Sequence, residues 1–245
     1  MNDAIERIRR GASLREWPES QRTLEMCNAA VKKMSDELCY VPISLLTVTM
    51  CLAAIKRKPE TLRYLPQHIR TDSLCKIAVE KGEWAMEYVP AKLWTREFTD
   101  FAIRKSFDAA FRYMPNAFKT QPLVDKALAE NPVGLFRYVP NELKTENMCC
   151  NIVRKNPHGL EQVPTRFLTK ELVQLAIDRG ANLYAVPEVM RTQEVCLSAV
   201  NARGCSLQWV PDSLKTINMC IAAIRQDVAA YNFVPLNIKG DVNLK

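Results

Sequence analysis

The side chains of this chain best equipped for chemistry are nine cysteines, two histidines and a file of basic residues that recurs at a fixed interval. A thiolate can attack an electrophile or hold a soft metal, and an imidazole can serve as base or ligand. Six cysteines (Cys27, Cys51, Cys75, Cys149, Cys196 and Cys220) each stand four residues after a threonine. Such a column reads as a small hydrophobe repeated at a close helix contact. Cys39, Cys150 and Cys205 lie off it and are the candidates for exposed thiols. No Cys-x-x-Cys occurs and only His68 and His158 could add imidazole, so the ligand spacing of structural zinc is missing. Sequence places neither histidine beside a thiol as its base. There is also no glycine-rich phosphate loop and no Ser/His/Asp or paired-carboxylate constellation that stands out from the periodicity. We expect no catalytic residue, no metal and no cofactor, and a protein that is not an enzyme.

Binding residues are a separate question. Basic side chains stand directly before a threonine at Arg22, Arg70, Lys119, Lys144, Arg191 and Lys215, and Lys239 holds the same place in the last unit. A cation beside a helix N-terminus is slightly unfavourable, so local helix physics does not explain this column. It reads first as solubilising charge and second as a phosphate-binding stripe for RNA or single-stranded DNA. Leu46, Trp94 and Leu168 interrupt it, and Trp84 stands in a column of small or polar residues such as Ala109, Gly134 and Ala181. Exposed tryptophan is a common interface anchor. Together with Arg63, Arg112 and Arg137, each three residues before a proline, Trp84 and Trp94 form the expected partner-binding set. Tyr40, Tyr64, Tyr88, Tyr113 and Tyr138, two before their prolines, are expected to be half-buried packing residues before they are a base-stacking ladder.

The elements that carry these columns follow from the prolines. Ten of the 14 fall at 18, 42, 66, 90, 115, 140, 164, 187, 211 and 235, at intervals of 23 to 25 residues. Each follows a large apolar residue, most often valine, and five residues after each of the first nine stands a threonine. A period of this size marks a repeat array. The threonine opens a helix: apolar pairs three and four, then seven and eight residues on, make one stripe, as in Met50-Cys51 and Ala54-Ile55. Basic residues such as Lys32-Lys33 and Arg104-Lys105 close it, as the helix dipole favours. A shorter helical segment leads to the Val-Pro step, where the residue before proline leaves the α region. The proline is expected to start the next turn as its first residue. One unit cannot bury its own stripe, but stacked units can.

We therefore expect an all-α fold, a single α-solenoid of about ten 24-residue helical repeats. Residues 1–12 form an N-terminal capping helix, and residues 13–245 form the repeat domain, its last unit incomplete. Segments such as Leu135-Phe136-Arg137-Tyr138-Val139-Pro140-Asn141-Glu142-Leu143-Lys144-Thr145 resemble the short repeat of domain-of-unknown-function family 4116. The resemblance spans residues 14–238, and this chain differs in its proline and its capping threonine. It implies a repeat scaffold with no catalytic assignment, of a kind met in bacterial, protist and large-virus proteins, secreted effectors among them.

Composition agrees with a folded, reduced protein. The chain of 245 residues is 48% hydrophobic and 25% charged with net charge +7, too apolar for disorder. It has no apolar run long enough for a membrane span and no signal-peptide core after Met1. The expected location is the cytoplasm of the producing cell, or of a host cell if the protein is a secreted effector. The expected partner is another protein, with nucleic acid as second choice, no membrane, and self-association through the C-terminal unit.

Overall fold

The computed structural model describes residues 2–240, so Met1 and the last five residues of the expected repeat domain lie outside it. The chain is 76% helical, with no strand among the described residues. Its α-helices are α1 (Asn2–Arg10), α2 (Leu24–Lys33), α3 (Val48–Arg57), α4 (Asp72–Lys81), α5 (Arg96–Lys105), α6 (Phe107–Tyr113), α7 (Gln121–Glu130), α8 (Pro132–Leu135), α9 (Glu146–Lys155), α10 (Lys170–Asp178), α11 (Gln193–Ala202), α12 (Ile217–Gln226) and α13 (Leu236–Lys239). They fall into two compact units, residues 1–123 and 124–245.

The longer helices start where a threonine can cap them. Thr23, Thr47, Thr71, Thr95, Thr145, Thr169, Thr192 and Thr216 are extended in backbone. Each hydroxyl accepts from the N–H three residues on, at 3.2–3.4 Å. This satisfies one of the orphan donors of the first turn. Most of these helices stop when the next residue turns extended, as Met34 does at φ −136°, ψ 119°. α1 and α10 end instead near Gly11 (φ +118°) and Gly180 (φ +94°), a conformation open to glycine at no steric cost.

The shorter segment is wound more tightly than an α-helix. Ser35–Tyr40, Pro59–Tyr64, Glu83–Tyr88, Pro157–Gln162, Gly204–Trp209 and Val228–Phe233 are six-residue 3-10 helices. So few residues between an extended cap and a proline close more i to i+3 bonds than i to i+4 bonds. Proline spacing sets the exceptions. The two 25-residue intervals, Pro90 to Pro115 and Pro115 to Pro140, hold α6 and α8, where the added residue leaves room for α winding. The single 23-residue interval, Pro164 to Pro187, keeps only the turn Leu183–Ala185.

The prolines sit differently from expectation. Pro42 has φ −54° and ψ 138°, and Pro18, Pro90, Pro115, Pro140, Pro164, Pro187, Pro211 and Pro235 are alike. Each is the extended residue ahead of the turn, not its first helical residue. The turn is opened by the proline carbonyl, as in the Leu45 N–H bond to Pro42 O at 2.9 Å. The extended ψ keeps proline outside the turn, and its missing N–H falls where the preceding helix has already ended.

In the first unit α2, α3, α4 and α5 pack in succession, and in the second α9, α10, α11 and α12 do the same. The 3-10 segments form a second layer: Ser35–Tyr40 packs on both α2 and α3, and Gly204–Trp209 on both α11 and α12. The apolar stripe and its cysteines lie between the layers, with Cys27, Cys51, Cys75, Cys149, Cys196 and Cys220 all fully buried. At one seam the approach is too close for any side chain. A Cβ on Gly204 would lie 2.2 Å from the Ala223 carbonyl oxygen and 3.1 Å from Asp227 N. Gly204→Ala is therefore expected to lower unfolding stability by roughly 1–3 kcal/mol. Urea denaturation checks this, with Gly240→Ala, which meets nothing within 4 Å, as the neutral control.

Candidate functional site

Five members of the basic column are bound to backbone carbonyls. The Arg22 guanidinium donates to the carbonyls of Trp17 (3.1 Å) and Tyr40 (2.7 Å). Arg70 donates to Leu65 (2.7 Å), Tyr88 (2.8 Å) and Arg63 (2.9 Å), and Arg191 to Val186 (2.9 Å) and Trp209 (2.7 Å). Lys144 donates to the Gln162 carbonyl at 2.8 Å and Lys215 to that of Phe233 at 3.0 Å. In all five cases one acceptor lies 18 residues on, two residues before the next proline. That carbonyl ends a 3-10 helix, and the residue two further along is a proline with no N–H to offer. The cation of one repeat thus supplies the donor that the next repeat lacks. Arginine, with several donors in a fixed fork, also holds the carbonyl just before its own proline; lysine does not, and Lys215 pairs instead with Asp212 at 2.8 Å.

The charged ends of Arg22, Arg70, Lys144, Arg191 and Lys215 thus lie against backbone carbonyls. Lys119 and Lys144 are buried, each with its ammonium over a phenylalanine ring, Phe111 at 5.3 Å and Phe136 at 4.7 Å. Burial pushes both ammonium groups below their ordinary pKa, Cys149 pulling that of Lys144 the other way. The same burial lowers Arg70. Lys239 stands over Tyr231 at 5.1 Å. Trp94, one of the interruptions, is 3% exposed and packs edge-on against Phe98 at 5.3 Å. It fills a site that a basic residue occupies elsewhere. Trp94 therefore leaves the partner-binding set.

The rest of that set stays at the surface in both units. In the first, Trp84 is 52% exposed, and the Arg112 guanidinium lies 5.8 Å from its ring centre while bonding Asp108 at 3.0 Å. Arg63 stacks on Tyr64 at 4.6 Å and donates to its hydroxyl. In the second, Arg137 lies 5.9 Å from the Tyr138 ring and lines a shallow 340 Å³ depression with Asn141 and Glu161. The five column tyrosines are all half-buried.

Sequence reasoning missed a further pair in the second unit. Tyr184 and Trp209 are 46% and 43% exposed with rings 5.8 Å apart, and Tyr184 donates to Glu161 at 2.5 Å. Tyr184 stands in the column of Arg63, Arg112 and Arg137, the signal that could have found it. Glu37 was missed too. It is buried, and its carboxylate accepts from Leu14 N–H at 2.7 Å, capping the 3-10 turn Leu14–Glu16 from the following repeat.

The thiols divide as the column suggests. Burial raises the column cysteines, Cys75 and Cys149 to about 11, each opposed by the neighbouring Arg70 or Lys144. Cys39 is exposed, and Cys150 and Cys205 are half-buried. Among the described residues no three His, Cys, Asp or Glu side chains group closely enough to hold a metal ion, and no helix is long and apolar enough to cross a membrane. No family model, no curated protein and no solved structure matches this chain.

Two predictions follow from this geometry. Arg70→Met is expected to cost roughly 1.5–3 kcal/mol of stability, because it strips charged donors from three carbonyls. Chemical denaturation checks it, and an unchanged midpoint would return Arg70 to the solvated class. With a thiol-reactive chromophore at pH 8, Cys39, Cys150 and Cys205 should react in the native protein and the six column cysteines only after unfolding. Peptide mapping of the labelled sites reads the outcome.

Proposed function

We propose that this chain is a helical-repeat scaffold of the solenoid kind whose work is to bind another protein, without catalysis of its own. The observation that carries this reading is the exposed Trp84 with Arg112 over its ring. It is a large aromatic held out to solvent on a framework whose other tryptophan nearby, Trp94, is packed away. Buried apolar anchors with arginine beside them dominate protein interfaces, and burying the exposed face of an indole on a partner is a strong source of affinity. The resemblance to family 4116 repeats fits the same reading, since repeats that stack along one axis offer long surfaces of independently variable side chains.

The nucleic-acid alternative relied on the column before the threonines. With those cations engaged by carbonyls, reaching a phosphate would require giving up bonds between repeats. We keep it as the second reading, to be judged by the same experiment. Affinity capture with wild-type protein and with Trp84→Ala/Arg112→Ala is done at physiological salt, with and without nuclease. The expected result is a protein partner recovered with wild type, insensitive to nuclease and lost from the double variant at unchanged helicity. Recovery unaffected by the variant would remove this face, and recovery abolished by nuclease would favour the alternative.

A further inference from the structure

Positive charge is unevenly shared between the units. Residues 1–123 carry 20 Lys and Arg against 15 Asp and Glu, residues 124–245 only 14 against 12. Much of the first unit's excess lies at the C-terminal ends of α2, α3, α4 and α5. Three contacts put these ends side by side. Arg57, closing α3, donates to the carbonyls of Lys32 and of Lys33, which close α2. Pro59, after α3, lies 3.2 Å from where a Cβ on Gly82, after α4, would stand. Lys105, closing α5, reaches Glu80 of α4 at 3.7 Å.

Some cations on this edge are already engaged: Arg57 by those carbonyls, Lys58 by Asp36 at 2.6 Å, and Lys105 by Glu80. Lys32, Lys33, Lys56, Lys81 and Arg104 are exposed and pair with no carboxylate among the described residues. Against these five stand the carboxylates of Glu6 and Glu25, which line a depression with Lys32 and Lys33, and of Glu60 and Glu83, which follow α3 and α4 in sequence. The helix dipole accounts for a cation at each helix end, and the engaged residues already meet it at α3 and α5. It leaves one cation over at each of α2, α3 and α5, while Lys81 is the single cation closing α4.

We propose that this edge of the first unit is a docking surface for an extended acidic segment of a partner protein. Neighbouring helices stand ~8–10 Å apart and an extended chain rises ~3.3 Å per residue, so a strand laid across the helix ends meets a new one about every third residue. The partner is a segment with Asp or Glu recurring at every third position and spanning four helices. One feature favours a carboxylate chain over nucleic acid. Trp84, the exposed tryptophan of this unit, has Arg112 over its ring and belongs to the 3-10 layer, so the helix ends have no indole platform on which bases could stack. This inference rests on the protein-binding reading and supplies the partner chemistry for a second face.

The test uses two fluorescent 13-residue peptides of identical composition, one with glutamate at every third position and one with its five glutamates contiguous. Binding to the full chain is read by anisotropy between about 50 and 150 mM salt, where screening of exposed charge grows. The spaced peptide should bind at least tenfold more tightly than the clustered one. Lys56→Glu/Lys81→Glu should lose at least tenfold of that affinity with circular dichroism unchanged, while Lys92→Glu, an exposed lysine on a proline turn, leaves it intact. Equal affinity for the two peptides, an undiminished double variant, or tighter binding of a single-stranded oligonucleotide or an anionic vesicle would each overturn the proposal. If the peptides fail while capture through the Trp84 face persists, the acidic-segment proposal falls and the scaffold reading stands. Loss of both removes the scaffold reading as well.

Discussion

The carbonyl two residues before each repeat proline is the constraint on which the rest of this molecule turns. The extended residue and proline that end the 3-10 segment carry the next N–H groups away, so its last backbone acceptor is left without a local donor. Five times the missing donor comes from the preceding repeat, as an arginine or lysine 18 residues upstream. The residue that terminates one element therefore creates a need that only a neighbouring repeat can meet. This makes the bond between repeats specific as well as apolar, and it couples adjacent units where burial alone would let them slide. It also carries a cost, visible in the lowered ammonium pKa of Lys144.

The interval between prolines is the second control. Twenty-four residues leave a six-residue bridge that winds as a 3-10 helix, one more residue admits α winding, and one fewer reduces the bridge to a single turn after Gly180. Small differences in spacing are thus absorbed in the 3-10 layer, while the ten-residue helices, their threonine caps and their buried cysteine column stay nearly constant. The layer that absorbs variation is also the one that carries Trp84, Tyr184 and Trp209. Surface chemistry can change there without disturbing the core.

Much of this was legible before any coordinates. The threonine caps, the apolar stripe and the buried cysteines follow from residue type at fixed spacing, because capping and amphipathicity are local or periodic properties. The basic column is visible as a pattern but its bonds are not, since its acceptors lie 18 residues away and are main-chain atoms that no side-chain pattern records. Trp94 differs from expectation for the related reason that its place, like those of Lys119 and Lys144, is buried. Glu37 and Gly204 were invisible because each answers a single contact with another repeat: an orphaned N–H at Leu14 and a close carbonyl at Ala223.

By itself, then, the sequence determined the period, the helix starts and stops, and which face of each helix is apolar, all consequences of short-range sterics and hydrogen bonding. Only the tertiary structure decided the meaning of the charges. It turned the column before the threonines inward onto carbonyls, because a buried acceptor left unpaired costs more than a desolvated cation that pairs with it. At the helix ends of the first unit it paired Arg57, Lys58 and Lys105 and left Lys32, Lys33, Lys56, Lys81 and Arg104 facing water. Ten of the fourteen prolines mark where each repeat ends; packing decided what each of those endings requires of the next.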